Sequence, residues 1–174
     1  MDTIALISVL CEDNPGLIAA ITGRLYDIGA NLGDTTFAVL GGAAEFTAVC
    51  ELPEGVSLAS VEAELARLPA LASAKLSVTP FGYQPVHADQ AHITHRIEIT
   101  GKDSPGLIAR LSEVFLQFGA NIVRLNSERL PGAGHAHYML RMAVFIPQGK
   151  ASTCLATVAN TAAQLALTCW WEES

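Results

Sequence analysis

Two short segments bring together groups that could hold a small zwitterion. Asp13-Asn14-Pro15-Gly16-Leu17 leads into an apolar helical pattern, and Asp103-Ser104-Pro105-Gly106-Leu107 does the same 90 residues later. A helix opening on such a turn offers unpaired backbone N–H groups and the positive end of its dipole, and both favour a ligand carboxylate. Gly16 and Gly106 allow close approach to the backbone. Downstream, Asn31 and Asn121 each supply one carbonyl acceptor and two N–H donors, enough to address both ends of an amino acid without any titrating group. These residues also have a plain structural use. Asp13 and Asp103 are expected N-caps, Pro15 and Pro105 fit the first helical turn, and the asparagines tolerate left-handed geometry after a helix. The two uses can coexist.

Other chemistry is poorly supplied. His92 and His95, or His135 and His137, could each present two imidazoles, but carboxylates and thiolates at ligand spacing are missing, so no metal site is expected. Cys11, Cys50, Cys154 and Cys169 are far apart with no C-x-x-C pair, and are read as reduced, mostly buried thiols. Glu62 and Glu64 lack a histidine or a serine elbow and read as solvated charges. In alternation, one ring of Trp170-Trp171 should face the core and the other the helix-free side of a sheet. No cofactor cradle is present, and an enzyme is not indicated.

The two turns belong to a duplication. Between residues 13–31 and 103–121, nine of nineteen positions are identical without a gap, including Gly29-Ala30-Asn31 and Gly119-Ala120-Asn121. A later match, Pro53-Glu54-Gly55 with Pro147-Gln148-Gly149, comes at an offset of 94 and places a four-residue insertion between Leu130 and Pro147, in the Pro131-Gly132-Ala133-Gly134 turn. Each copy reads strand, helix, strand, strand, helix, strand. The first strands are Ile4 to Leu10 and Ile93 to Ile99. The first helix carries Leu17, Ile18, Ile21, Leu25 and Ile28 on one face, matched by Leu107, Ile108, Leu111, Phe115 and Phe118, and Gly29 and Gly119 close it. A hairpin follows, 35–40 with 46–52 and 123–130 with 138–146, then a second helix on Leu58, Val61, Leu65 and Leu68, or Leu155, Val158, Ala162 and Leu165. Residues 74–79 and 167–171 are the last strands. The predicted class is α+β: two ferredoxin-like βαββαβ units with antiparallel sheets, helices on one face, and strands two and four at the edges. The first unit is placed at 1–82, a linker at 83–90, and the second at 91–174.

Composition limits the functional classes. With 51% hydrophobic and 16% charged residues the chain can fill a core, and no apolar run approaches a membrane span or a signal peptide, so a cytoplasmic protein is expected. Residues 1–84 hold ten acids against three bases, and 85–174 hold seven of each, so the whole net charge of −7 falls in the first half. The bases are scattered singly, which argues against direct nucleic-acid binding.

The D-x-P-G-L turn with the later G-A-N resembles the ACT domain, a small amino-acid-binding regulatory module, over nearly the whole chain. Two tandem copies, with Leu40-Gly41-Gly42 before Glu45-Phe46-Thr47, are similar to the family of glycine cleavage system transcriptional repressors. The resemblance implies a non-enzymatic amino-acid sensor, with glycine as the first ligand to try. It also implies regulation through a protein partner such as a DNA-binding regulator, with a homodimer allowed. Ligand contacts are then expected at Asp13, Asn14, Pro15, Gly16, Leu17 and Asn31, and at Asp103, Ser104, Pro105, Gly106, Leu107 and Asn121, where ACT units meet. Alternatives are a small ferredoxin-like enzyme of isomerase or monooxygenase type, or an oligomerisation module that binds no ligand.

Overall fold

A computed structural model describes residues 3–84, 86–130 and 137–174. The chain divides into two compact units, Met1–Pro85 and Val86–Ser174. In the first, β1 (Thr3–Glu12), α1 (Leu17–Asp27), β2 (Asn31–Leu40), β3 (Ala43–Leu52), α2 (Leu58–Ala66) and β4 (Lys75–Pro80) follow one another. The second repeats the order as β5 (His95–Lys102), α3 (Leu107–Phe118), β6 (Asn121–Leu130), β7 (His137–Phe145), α4 (Ala151–Gln164) and β8 (Thr168–Glu173). The sheets are antiparallel with strand orders β2-β3-β1-β4 and β6-β7-β5-β8, so strands two and four of each unit are the edges. The Pro131–Gly134 insertion and His135 lie outside the described residues.

Alternation fixes which face is covered. Ala5, Ile7, Val9 and Cys11 on β1 are buried, as are Ile97 and Ile99 on β5, while the intervening residues point to the helix-free face. On α1 the buried positions are Leu17, Ile21 and Leu25, and on α3 they are Leu107, Leu111, Val114 and Phe115. Ile18, assigned to the core stripe by its spacing, is instead 44% exposed. Both second strands begin four or two residues earlier than the pattern suggests and carry a register shift, at Leu32/Thr35 and at Ile122/Arg124. Gly33 and Asp34, poor strand formers, hide that start in the first copy.

Both first helices end in the same way. Gly29 (φ 78°) donates to the Tyr26 carbonyl at 2.9 Å and Ala30 to that of Leu25 at 3.0 Å; Gly119 (φ 67°) and Ala120 make the matching pair to Leu116 and Phe115. This double bond is the Schellman closure that the Gly-Ala-Asn triplet encodes. The end of α4 uses it too, with Ala166 donating to Ala163 at 2.9 Å and Leu167 to Ala162 at 3.0 Å. There the left-handed position is occupied by alanine, at φ 57°. Ala166→Gly should therefore raise the stability of the second unit by about 0.5–1 kcal/mol, since glycine lacks the Cβ clash at that φ. A denaturant melt with an unchanged m-value would show it, and a loss of stability would contradict it.

All four cysteines are free thiols. Burial pushes Cys50, Cys154 and Cys169 up to about 11 and raises Cys11 as well, Asp13 adding to the last. The thiolate is the reactive form, so alkylation of the folded chain should be slow at neutral pH. A raised thiol value favours the fold below the ordinary 9.0 and loses that contribution as pH climbs toward 11. Native iodoacetamide labelling at pH 7.5 that matched the urea-unfolded rate would contradict this reading.

Candidate functional site

The D-x-P-G segment is a turn before it is a cap. In the first unit the Leu17 N–H donates to the Asn14 carbonyl at 3.2 Å, and Gly16 stands at φ 85°, ψ 0°; in the second, Leu107 donates to Ser104 at 3.3 Å with Gly106 at φ 80°, ψ 4°. Proline at the second position and a left-handed glycine at the third are the requirements of a type II turn. The expectation that Asp13 and Asp103 cap the helices is corrected here. The capping position belongs to Gly16 and Gly106, neither helix has a side-chain cap, and each proline lies in the turn ahead of the helix. The reason is steric: once Pro-Gly sets the turn, the aspartate is three residues too early to reach the second or third helical N–H.

Each helix thus opens with donors to spare. Ala20 and Arg110 make the first intrahelical bonds, to Gly16 and Gly106 at 2.9 and 3.0 Å, so the amides of Ile18 and Ala19, or Ile108 and Ala109, precede the helical ladder. The second residue of the motif bonds back to the strand that precedes it. Asn14 Nδ2 donates to the Glu12 carbonyl at 3.2 Å and Ser104 Oγ to that of Lys102 at 3.3 Å.

Around the second turn lies an open cleft of about 430 Å³, lined by residues 103–109 together with Ser127, Glu128, Arg129 and Tyr138. Arg129 Nη2 meets Asp103 Oδ2 at 2.8 Å. A cation, a carboxylate and uncapped helical amides consequently share one opening. The chemistry suits a zwitterion, whose carboxylate can take the amides and Arg129 while its ammonium takes Asp103. Ser127, Arg129 and Tyr138 carry no motif, and only pairing the edge strand β6 with β7, Arg129 opposite Tyr138, brings them beside the turn. At the matching positions of the first unit stand Phe37, Val39 and Ala44, with Val39 paired to Ala44 in the same register. The first turn therefore keeps the backbone geometry and loses the charged wall.

The asparagines stand elsewhere. Asn31 is opposite Glu51 and Asn121 opposite Phe145, at the ends of their sheets farthest from the Gly42 and His137 ends where the turns lie. Helices α1 and α3, 11 and 12 residues long, separate the two poles by about 17 Å. Neither asparagine is left-handed, Ala166 being the one positive-φ residue other than glycine among those described. Asn31 Nδ2 donates to Glu51 Oε2 at 3.2 Å, and Asn121 Nδ2 to the Gln90 carbonyl at 2.9 Å, which ties the preceding segment to β6. Within one unit, asparagine and turn do not address the same ligand.

Among the remaining candidates, His95 is buried with Nδ1 2.9 Å from Thr94 Oγ1, whereas His92 and His137 are exposed. No three metal-binding side chains cluster among the described residues. Glu64 ties the helices of the first unit together, accepting from Arg24 at 2.9 Å and pairing with Arg67. Register alternates the tryptophans as expected, Trp170 beside Glu98 on the helix-free face and Trp171 beside buried Ile97 on the covered side, but the edge strand leaves them 57% and 39% exposed, so Trp171 is not a core residue. Among the described residues no helix is long and apolar enough to cross a membrane.

Comparison with known proteins agrees with the fold. Residues 3–79 match the ACT domain. No curated protein sequence matches significantly. Among solved structures, an unknown protein from Galdieria sulphuraria superposes with a TM-score of 0.76 at 22% identity, over 100% of this chain and 99% of its own. A candidate glycine cleavage system transcriptional repressor superposes with a TM-score of 0.67 at 13% identity, over 100% and 98%. At such identities the likeness is one of fold: two ferredoxin-like βαββαβ units in tandem, the first of which matches the ACT domain.

Proposed function

We propose that this chain, a tandem of two ACT-type domains, is a non-enzymatic amino-acid-responsive regulator that takes its ligand at the Asp103–Leu107 turn of the second domain. The observation that carries the proposal is the cleft at that turn, where uncapped amides, Arg129 and Asp103 meet. Cation and anion stand side by side in one small opening, which matches a free amino acid better than a simple anion or a cation. Glycine is the first candidate, from the resemblance to the glycine cleavage repressors. The first domain, with the excess of acids, is the surface for a basic protein partner, and regulation passes through that partner and not through DNA held by this chain.

A thermal-shift screen against the twenty amino acids tests the reading. A ligand at 100 times its dissociation constant should add about 2.7 kcal/mol of stability, a visible rise in melting temperature. Failure of every amino acid to raise it at saturating concentration would refute the proposal.

A further inference from the structure

The helix-free face of the second sheet gathers cations that are far apart in sequence. Strand register lays this face out in rows. One row reads Arg124 on β6, Ala143 on β7, Arg96 on β5 and Glu172 on β8, and the next reads Asn126, Arg141, Glu98 and Trp170. Ala143 therefore has an arginine on each side and a third, Arg141, two residues away on its own strand. Neighbouring strands are about 4.8 Å apart, so the backbones carrying Arg96 and Arg124 lie within roughly 10 Å of each other. The short alanine between them leaves room: a cavity of about 430 Å³ is lined by all three arginines, Ala143, Trp170 and Glu172, among others.

The three arginines are not equally engaged. Arg141 is held by Glu98 at 2.9 Å and by Glu128 at 3.0 Å. Arg96 and Arg124 are exposed and have no hydrogen bond or ion pair among the described residues. Glu172 neighbours Arg96 on the side away from Ala143. Two free guanidiniums facing one gap repel each other, and an oxyanion between them relieves the repulsion while taking their paired donors. Trp170, 57% exposed on the same cavity, adds an aromatic surface suited to a planar ring. The repeat shows that the fold does not impose this set. By the repeat offsets, Leu6, Asp34, Val49 and Thr47 occupy the positions of Arg96, Arg124, Ala143 and Arg141 in the first unit.

We propose that this face binds a small phosphate-bearing ligand with a planar ring, a nucleoside monophosphate being the simplest, with the phosphate between Arg96 and Arg124 above Ala143 and the ring against Trp170. The site is separate from the amino-acid cleft and does not depend on it.

Calorimetric titration of the full chain with adenosine monophosphate, inorganic phosphate and adenosine tests the proposal. Adenosine monophosphate should bind more tightly than either fragment. Arg96→Gln and Arg124→Gln should each weaken it by about tenfold or more. Ala143→Leu should block the gap, and Trp170→Leu should weaken the nucleotide while leaving inorganic phosphate unchanged. Melting temperature and glycine affinity should be unaffected by the arginine substitutions, since neither side chain is paired. No nucleotide binding at millimolar concentration, full binding by the Arg96→Gln/Arg124→Gln double variant, or phosphate binding as tight as the nucleotide would each overturn it.

Discussion

Gly101→Cys, which imports into the second unit the residue found at the matching position of the first, is expected to destabilise that unit by about 2–5 kcal/mol. Gly101 lies in β5 at φ 152°, a conformation that side chains rarely adopt, and a Cβ built there comes within 2.5 Å of Leu167 Cδ2 and 3.3 Å of Leu167 Cα. The backbone contact leaves little freedom to yield. Cys11, its counterpart, is buried without difficulty in β1, where the position matching Leu167 is Ala74. The two units thus exchange size across one contact: a small residue on the strand with leucine on the turn, or a larger one on the strand with alanine. Leu167→Ala alone should also destabilise, by leaving a cavity, but combined with Gly101→Cys it should recover part of the loss. A double-mutant cycle measures this coupling, and strictly additive effects would show that the contact is not the cause.

The second large effect concerns Arg129. In the free protein its pairing with Asp103 is exposed, at 72% and 34%, and such a pair contributes roughly 0–1 kcal/mol to stability. Against a bound carboxylate the same guanidinium makes a charge-assisted bond beside the helical amides, worth about 1.5–3 kcal/mol. Arg129→Leu should therefore lower glycine affinity about ten- to a hundredfold with little change in melting temperature. Asn31→Ala and Asn121→Ala provide the contrast. Their amides hold Glu51 and Gln90 at the far ends of the units, so they should leave the affinity near that of the wild-type chain. A loss confined to the asparagine variants would move the ligand to that end.

Much of the architecture was legible in the sequence because duplication repeats its own punctuation. The Pro-Gly turns, the Gly29 and Gly119 closures and the apolar stripes of the first helices are local signals, each tied to a backbone geometry that few residues can adopt. The half-buried edge was less legible. Ile18 and Trp171 follow the periodicity of a core and are exposed, since periodicity reports which way a side chain points and not whether anything covers it. The capping role given to Asp13 and Asp103 failed for a similar reason, as residue preference for a cap says nothing about the two-residue turn that intervenes.

The candidate site divides along the same line. Its backbone part, Gly106 with the amides beyond it, follows from the motif. Arg129, Tyr138 and Ser127 could not be found that way, because they join the turn only through strand register set 24 to 35 residues downstream of Asp103, the distance spanned by a helix and a strand. Register also gathers Arg96, Arg124 and Arg141, which read in sequence as scattered charges.

Backbone amide resonances followed during a glycine titration of the full chain test the central claim most directly. The account predicts that Gly106, Ile108 and Ala109 shift in a saturable manner, together with the Arg129 side chain, while Asn31 and Asn121 do not. Saturable glycine binding that left the amides of Gly106, Ile108 and Ala109 unmoved would contradict it.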